Sequence, residues 1–188
     1  YDDRRVKKLN KSDLSVVATG PNYGGDIWAL TSDDNFIYVG GSFDRRVKKL
    51  NKSDLSEVAT SPDYGGWIHV LTSDDNFIYV GGATNQMVKK LNKSDLSVVA
   101  TSHNYGGALY ALTSDDNYVY VGGYTDRRVQ KLRKSDLSIV ATSPNYGGEI
   151  RALTIDDNYV YVGGRTDQRV KKLNRSVYEL DGIDYIRI

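Results

Sequence analysis

Short apolar segments alternate with polar turn-forming segments along the whole chain. Between residues 27 and 60, the apolar segments predict four strands at 27–30, 36–39, 47–50 and 57–60, which we call strands A, B, C and D. Asp, Asn, Ser and Gly separate them at fixed offsets, as tight turns require. No stretch combines helical periodicity with helix caps. The pattern therefore predicts an all-β fold.

This four-strand unit repeats every 41 residues. The segment that begins Val-Lys-Lys-Leu at Val6 returns, with small changes, at Val47, Val88, Val129 and Val170. Four full copies cover 6–169 without insertion or deletion, and 170–188 holds a partial repeat and a divergent closing tail. A period near 40 with four short strands is typical of a β-propeller blade. We therefore predict that 1–188 is a single β-propeller domain.

Strand B and its end carry a family resemblance. The segment Phe36-Ile37-Tyr38-Val39-Gly40-Gly41 resembles the glycine doublet of kelch repeats, and the whole unit is similar to YVTN-type and quinoprotein-type propeller repeats. The chain lacks the later Trp of kelch repeats and the Trp-Asp pair of WD repeats. The resemblance therefore implies the fold superfamily and no active site. The near-identity of the copies indicates recent amplification or design.

The sequence leaves the number of blades open. Strands A begin at four places and C–D hairpins at five, so the chain starts in the middle of a unit. The tail 177–188 alternates and has Asp-Gly in its middle, so it is suited to complete the N-terminal blade. We favour five blades, with four blades, or an open fragment completed by oligomerisation, as alternatives.

The composition limits the classes of partner that the protein is expected to bind. Lys plus Arg (25) nearly balance Asp plus Glu (24), which argues against a nucleic-acid or anionic-membrane surface. There is no Cys, and no apolar run approaches the length of a membrane span. We expect no cofactor and no membrane insertion, while the compartment stays open, with an extracellular or surface location favoured.

Differences between the copies collect in three columns. They hold Asp26, Trp67, Ala108 and Glu149; then Trp28, His69, Tyr110 and Arg151; then Ser42, Ala83, Tyr124 and Arg165. The first two columns lie at the D–A junction and the third in the B–C loop. These connections fall on the same face of an up-and-down blade. Both Trp residues of the chain are in these columns.

We interpret this variable face as a ligand-binding surface, since Trp, Tyr and Arg dominate binding hot spots. Neutral drift in exposed loops is the competing interpretation. The predicted binding residues are Asp26, Trp28, Ser42, Trp67, His69, Tyr110, Tyr124, Glu149, Arg151 and Arg165.

The sequence gives weaker evidence for a metal, anion or catalytic site. The Asp-Asp-Asn turns, first at 33–35, offer too few oxygens for calcium. The Lys and Arg rows of strand C are expected to form a solvated rim. His69 and His103 lack the paired groups of a catalytic site. We therefore predict a non-catalytic module for a protein or carbohydrate ligand. The alternative is a structural or assembly protein: a homo-oligomer, a surface or virion component, or a designed scaffold.

Overall fold

A computed structural model describes residues 3–166 and 169–175, which form repeated antiparallel sheets. The tail 177–188, predicted to complete a blade, lies outside these residues. The strands are β1 (Arg5–Leu9), β2 (Val16–Asn22), β3 (Ile27–Ser32), β4 (Phe36–Gly41), β5 (Lys48–Asn51), β6 (Glu57–Thr60), β7 (Ile68–Ser73), β8 (Phe77–Gly82), β9 (Lys89–Asn92), β10 (Val98–Thr101), β11 (Leu109–Ser114), β12 (Tyr118–Gly123), β13 (Gln130–Arg133), β14 (Ile139–Thr142), β15 (Ile150–Ile155), β16 (Tyr159–Gly164) and β17 (Lys171–Asn174).

Three of the sheets have four strands each, in the order of the chain. They are β3 to β6, β7 to β10 and β11 to β14, and each neighbouring pair is antiparallel. Within the described residues, the first sheet has only β1 and β2, and the last has only β15, β16 and β17. The prediction of an all-β fold of four-stranded repeats is confirmed.

The hydrophobic core lies between successive sheets. Ile68, on strand A of one sheet, is fully buried in a cluster with Tyr38 and Val47 of the preceding sheet. Leu109 and Ile150 are fully buried at the equivalent positions of the next two sheets. Burying such a side chain contributes about 1.5–3 kcal/mol. Each sheet therefore depends on its neighbour for stability.

The glycine doublet at the end of strand B is required for close approach. A Cβ on Gly41 would lie 1.8 Å from the Asp26 carbonyl oxygen, and one on Gly40 would lie 2.5 Å from Ile68 Cγ2. Positive φ occurs elsewhere, at Gly24 (φ 98°) and, unexpectedly, at the fully buried Leu55 (φ 63°) of the C–D turn. The left-handed conformation is unfavourable for Leu, but the exposed Leu14 adopts it too (φ 58°). A hydrogen bond within the turn, from the Leu55 amide to the Asn51 carbonyl oxygen at 2.8 Å, accompanies it in both copies.

A buried tyrosine joins each repeat to the next. Tyr23 is 2% exposed, and its hydroxyl donates a hydrogen bond to the Arg46 carbonyl oxygen at 2.6 Å. Its copies donate in the same way to the carbonyl 23 residues further on: Tyr64 to Met87, Tyr105 to Arg128 and Tyr146 to Arg169. Each hydroxyl is thereby satisfied inside the core, as a buried polar group requires.

Two lysines of strand C contradict the predicted solvated rim. Lys49 and Lys90 are each only 6% exposed. Lys49 Nζ lies 3.9 Å from the centroid of the Phe36 ring and donates to the Lys93 carbonyl oxygen at 2.8 Å. Because that carbonyl belongs to the next repeat, the lysine fastens two sheets together. Lys8, the equivalent residue in the first sheet, donates in the same way to the Lys52 carbonyl oxygen at 3.1 Å but is only half-buried, whereas its neighbour Lys7 is exposed as expected.

The first Asp of each A–B turn is also a structural group. Asp33 Oδ1 accepts hydrogen bonds from the Asn35 and Phe36 amides, and Oδ2 accepts one from the Tyr38 hydroxyl at 2.7 Å. Lys93 of the next repeat lies 3.3 Å from the same carboxylate. Partial burial alone would raise the pKa of Asp33, but these four donors together lower it to about 2.

The lowered pKa values of the Asp carboxyls in these turns predict that the protein loses stability in acid. A carboxylate with a pKa of about 2 in the folded state and about 3.9 when unfolded stabilises fully above about pH 4 and loses that contribution as pH falls toward 2. The pKa values of Asp74 and Asp115 are lowered by equivalent donors, despite an opposing effect of burial. We expect urea midpoints to fall steadily between pH 4 and pH 2. Midpoints that stay constant over this range would contradict the assignment.

Candidate binding face

Backbone hydrogen bonds bring the first and third variable columns together. The Ser42 amide donates to the Asp26 carbonyl oxygen at 2.9 Å, and the equivalent amides donate to the equivalent carbonyls in the other repeats at 2.9–3.0 Å. The D–A junction and the B–C loop are therefore adjacent in every repeat, as the sequence predicted.

Residues of the second column occupy a β-bulge on strand A. Ile27 pairs with Gly41 and Ala29 with Gly40, so Trp28 is the extra, unpaired residue between them. The same irregularity occurs at His69, Tyr110 and Arg151. A bulge redirects a side chain and is common beside functional sites. Each repeat thus presents one residue that the strand ladder does not use.

The four bulge residues form one row of contacting side chains across four sheets. The ring centroids of Trp28 and His69 are 5.0 Å apart, and those of His69 and Tyr110 are 4.7 Å apart with nearly parallel planes. The Arg151 guanidinium carbon lies 3.8 Å from the centroid of the Tyr110 ring. All three distances fall within the usual ranges for aromatic and cation–π pairs.

Two further aromatic residues extend this row on its Trp28 side. The Trp67 ring lies edge-on to the Trp28 ring with centroids 5.4 Å apart, and the Phe43 ring is 6.4 Å from Trp67. Trp28 and Trp67 are each 43% exposed and Phe43 is 63% exposed. We call Phe43, Trp67, Trp28, His69, Tyr110 and Arg151 the aromatic row.

Charge is neutralised at the Arg151 end of the aromatic row. Glu149 Oε2 accepts hydrogen bonds from Arg151 Nε at 2.9 Å and from Nη2 at 2.5 Å. Burial, and then the nearby Arg151 guanidinium, lower the pKa of His69, so its ring is neutral at neutral pH. His69 Nδ1 is buried, and none of the described residues forms a hydrogen bond with it. The row is consequently a mainly apolar surface.

A shallow concavity of about 300 Å³ lies on the aromatic row and is lined by Trp28, His69 and Tyr110. Its walls are π faces and edges, so it offers contact area rather than a set of hydrogen-bonding groups. Larger concavities on the opposite face are lined by the A–B turns and their structural carboxylates, among them Asp74 and Asp115. Those carboxylates already bind donors of the protein.

Five predicted binding residues lie outside the aromatic row, and Glu149 is one of them, as the hydrogen-bond partner of Arg151. Ser42 is 1% exposed, and its hydroxyl accepts a hydrogen bond from the Asp26 amide, which makes it a structural residue. Asp26 itself lies 3.8 Å from Arg4. Tyr124 and Arg165 are exposed on the same loops without joining the row.

One member of the aromatic row, Phe43, was not among the binding residues predicted from the sequence. Phe43 follows Ser42, and its equivalents in the other repeats are Thr84, Thr125 and Thr166. The replacement of threonine by a large aromatic residue was the signal that could have identified it.

Two negative findings concern the described residues alone. Over 3–166 and 169–175, no group of three or more His, Asp or Glu side chains is placed to hold a metal ion. In the same part of the chain, no helix is long and apolar enough to cross a membrane.

Comparison with known proteins identifies similar structures but no family. No family model and no curated protein matches the chain. The computationally designed Ika4 protein is 20% identical, with a TM-score of 0.76 over 84% of this chain and 96% of Ika4. The computationally designed Ika8 protein is also 20% identical, with a TM-score of 0.83 over 95% of this chain and 55% of Ika8. These likenesses show the fold; the kelch, YVTN or quinoprotein relationship stays a prediction.

Proposed function

We propose that the sheets are blades of a β-propeller and that the aromatic row is the ligand-binding surface of a non-catalytic module. The radial arrangement is supported by contacts between the strands A of successive sheets, β3 with β7, β7 with β11 and β11 with β15. A five-bladed ring needs further strands beside β1, and the tail predicted to supply them lies outside the described residues.

The observation that carries the binding proposal is the contrast between two kinds of position. The turns, the buried tyrosines and the glycine doublets are nearly constant among the copies, whereas the bulge position holds Trp, His, Tyr and Arg in turn. Because the bulge recurs in every repeat, these four side chains meet in one row, and three of the four are aromatic rings in contact with one another. Exposed Trp, Tyr and Arg are the side chains that contribute most to binding energy.

The proposed ligand is a carbohydrate or an extended segment of a protein. A row of rings suits the flat apolar faces of sugars and the side chains of a peptide. With Arg151 bound to Glu149, the row offers no strongly unpaired charge, and the chain carries a net charge of only +1. Nucleic acid, which needs basic side chains facing its phosphates, therefore fits poorly.

Loss of Trp28 is expected to weaken ligand binding at least thirtyfold without unfolding the protein. Trp28→Ala removes the central ring of the row, and truncation of such an anchor reduces affinity by about 2 kcal/mol or more, roughly thirtyfold. The measurement is tryptophan fluorescence during separate titrations with chitohexaose, with cellohexaose and with a set of random peptides in solution. Val58→Ala, at an exposed valine of β6, is the matched control.

If none of these probes changes the fluorescence of the unmodified protein, or if both variants bind equally well, the aromatic row is not the binding surface. A structural or assembly role is the second candidate function. It is favoured by the exposure of Leu30 on β3, which is 55%, whereas the equivalent Leu71 and Leu112 are each 8% exposed.

A further inference from the structure

Within the described residues, the first full sheet, β3 to β6, is uncovered on the face that points toward the preceding repeat. Leu30 on β3 is 55% exposed, whereas its equivalents Leu71 and Leu112 are each 8% exposed because a preceding sheet covers them. Leu9 on β1 is likewise 47% exposed, and its equivalent Leu50 is 3% exposed. Within the described residues, no strand pairs with the second edge of β1. The face lacks strands A and B of a preceding repeat.

The last sheet has the complementary deficiency. In the earlier repeats, Ile68 and Ile150 fill the space above Gly40 and Gly122, where an added Cβ would meet them at 2.5 Å. Among the described residues, a Cβ on the equivalent Gly163 would meet only Ala152 of its own sheet, at 3.8 Å. Ala152 is exposed, whereas Ala111 is 2% exposed. In the part of the chain that the structure describes, no strand A of a following repeat covers this face.

The two uncovered faces are the two halves of the interface that joins every pair of neighbouring repeats. Ile27 and Leu30 are the residue types that fill this interface at Ile68 and Leu71. No core cluster or hydrogen bond joins the first and last sheets within the described residues. We propose that this chain associates head to tail, with the β3 face of a second copy docking on the β15–β16 face of the first.

The strand edges favour the same arrangement. The segments 5–10 and 169–174 are both Arg-Val-Lys-Lys-Leu-Asn, so β1 of the second copy can replace β17 beside β16 without a change of side chains. β2 then follows as the fourth strand that the last sheet lacks. The composite sheet contains β15 and β16 of one copy with β1 and β2 of the other, and it buries Leu9.

Charge complementarity is also in place. Lys93 pairs with Asp33 of the preceding repeat at 3.3 Å, and Lys134 pairs with Asp74 at 2.8 Å. By the same offset of one repeat, Lys52 of the docked copy reaches Asp156. In the single chain, Lys52 Nζ donates instead to a backbone carbonyl, that of Asp33.

The association is tested by sedimentation velocity of the full chain from low to high micromolar concentration. The mass is expected to rise from 21.0 kDa to at least twice that value. Each of two variants disrupts one of the two faces. Leu30→Lys places a charge on the β3 face, and Gly163→Val fills the space needed by Ile27 of the next copy. Val99→Lys, at a valine 50% exposed on β10, is the control.

We expect each of the two variants to stay at 21.0 kDa with an unchanged unfolding midpoint, and the control to associate like the unmodified chain. An equimolar mixture of the two variants retains one intact pair of faces, so it should form a species of twice the monomer mass and nothing larger. A mass of 21.0 kDa at every concentration, or no change of mass on mixing, overturns the proposal. The first result would mean that the two faces are covered within one chain.

Discussion

Replacing Gly122 by alanine is expected to lower the free energy of unfolding by about 1–3 kcal/mol, the usual range for overpacking a core. The new Cβ would lie 2.5 Å from Ile150 Cγ2 and 3.0 Å from Ile150 Cβ. Ile150 is fully buried and cannot move aside without shifting the whole of strand β15. The change therefore separates two sheets. Urea unfolding followed by circular dichroism measures the effect.

Gly163→Ala is the matched control, because the same residue of the repeat there faces open space. We expect this variant to be neutral or more stable by up to about 1 kcal/mol, since alanine has less conformational entropy to lose than glycine. The comparison is made at a protein concentration low enough to avoid association. Equal destabilisation at both positions would show that the doublet is needed for backbone conformation rather than for close approach.

Replacing Asp74 by asparagine is expected to destabilise the protein by about 1–3 kcal/mol. Oδ2 of Asp74 accepts hydrogen bonds from the Tyr79 hydroxyl and Lys134 Nζ, both at 2.8 Å, while Oδ1 accepts from the Phe77 amide at 2.9 Å. An amide has only one acceptor oxygen. Whichever way it is turned, its nitrogen faces a donor of the protein and leaves that donor unsatisfied.

Asp75→Asn tests whether charge alone explains the loss. Asp75 follows Asp74 in the same turn but is exposed, so the variant has the same change in net charge. We expect its unfolding midpoint to stay within about 0.5 kcal/mol of the unmodified protein, as for most surface substitutions. If the two variants are equally destabilised, the hydrogen bonds of Asp74 are not the cause.

Local pattern was sufficient to predict the strands because apolar alternation and turn residues act within a few positions. Strand D was predicted at 57–60 and is Glu57–Thr60. Strand B was predicted to end at Val39 but continues to Gly41, because the glycines pair with strand A while leaving space for the next sheet. The burial of Lys49 was not predicted, since the carbonyl that it binds lies 44 residues away.

The candidate site was predicted in part. Comparison of the copies identified the columns, and the hydrogen bonds between the first and third columns confirm their proximity. The bulge at Trp28 was not predictable, because a bulge is a property of strand register rather than of residue type. For the same reason, the sequence did not separate Ser42, which is buried, from Trp28, which is exposed.

The β-bulge on strand A also makes the identity of the variable residue independent of strand pairing. The bulged residue leaves the ladder pairs on either side intact, so its identity can change without altering the register of the sheet. Each added or deleted 41-residue unit lengthens or shortens the aromatic row by one position, at a spacing near the 5.0 and 4.7 Å seen here. The composition of the row can therefore change one side chain at a time while the sheets stay the same.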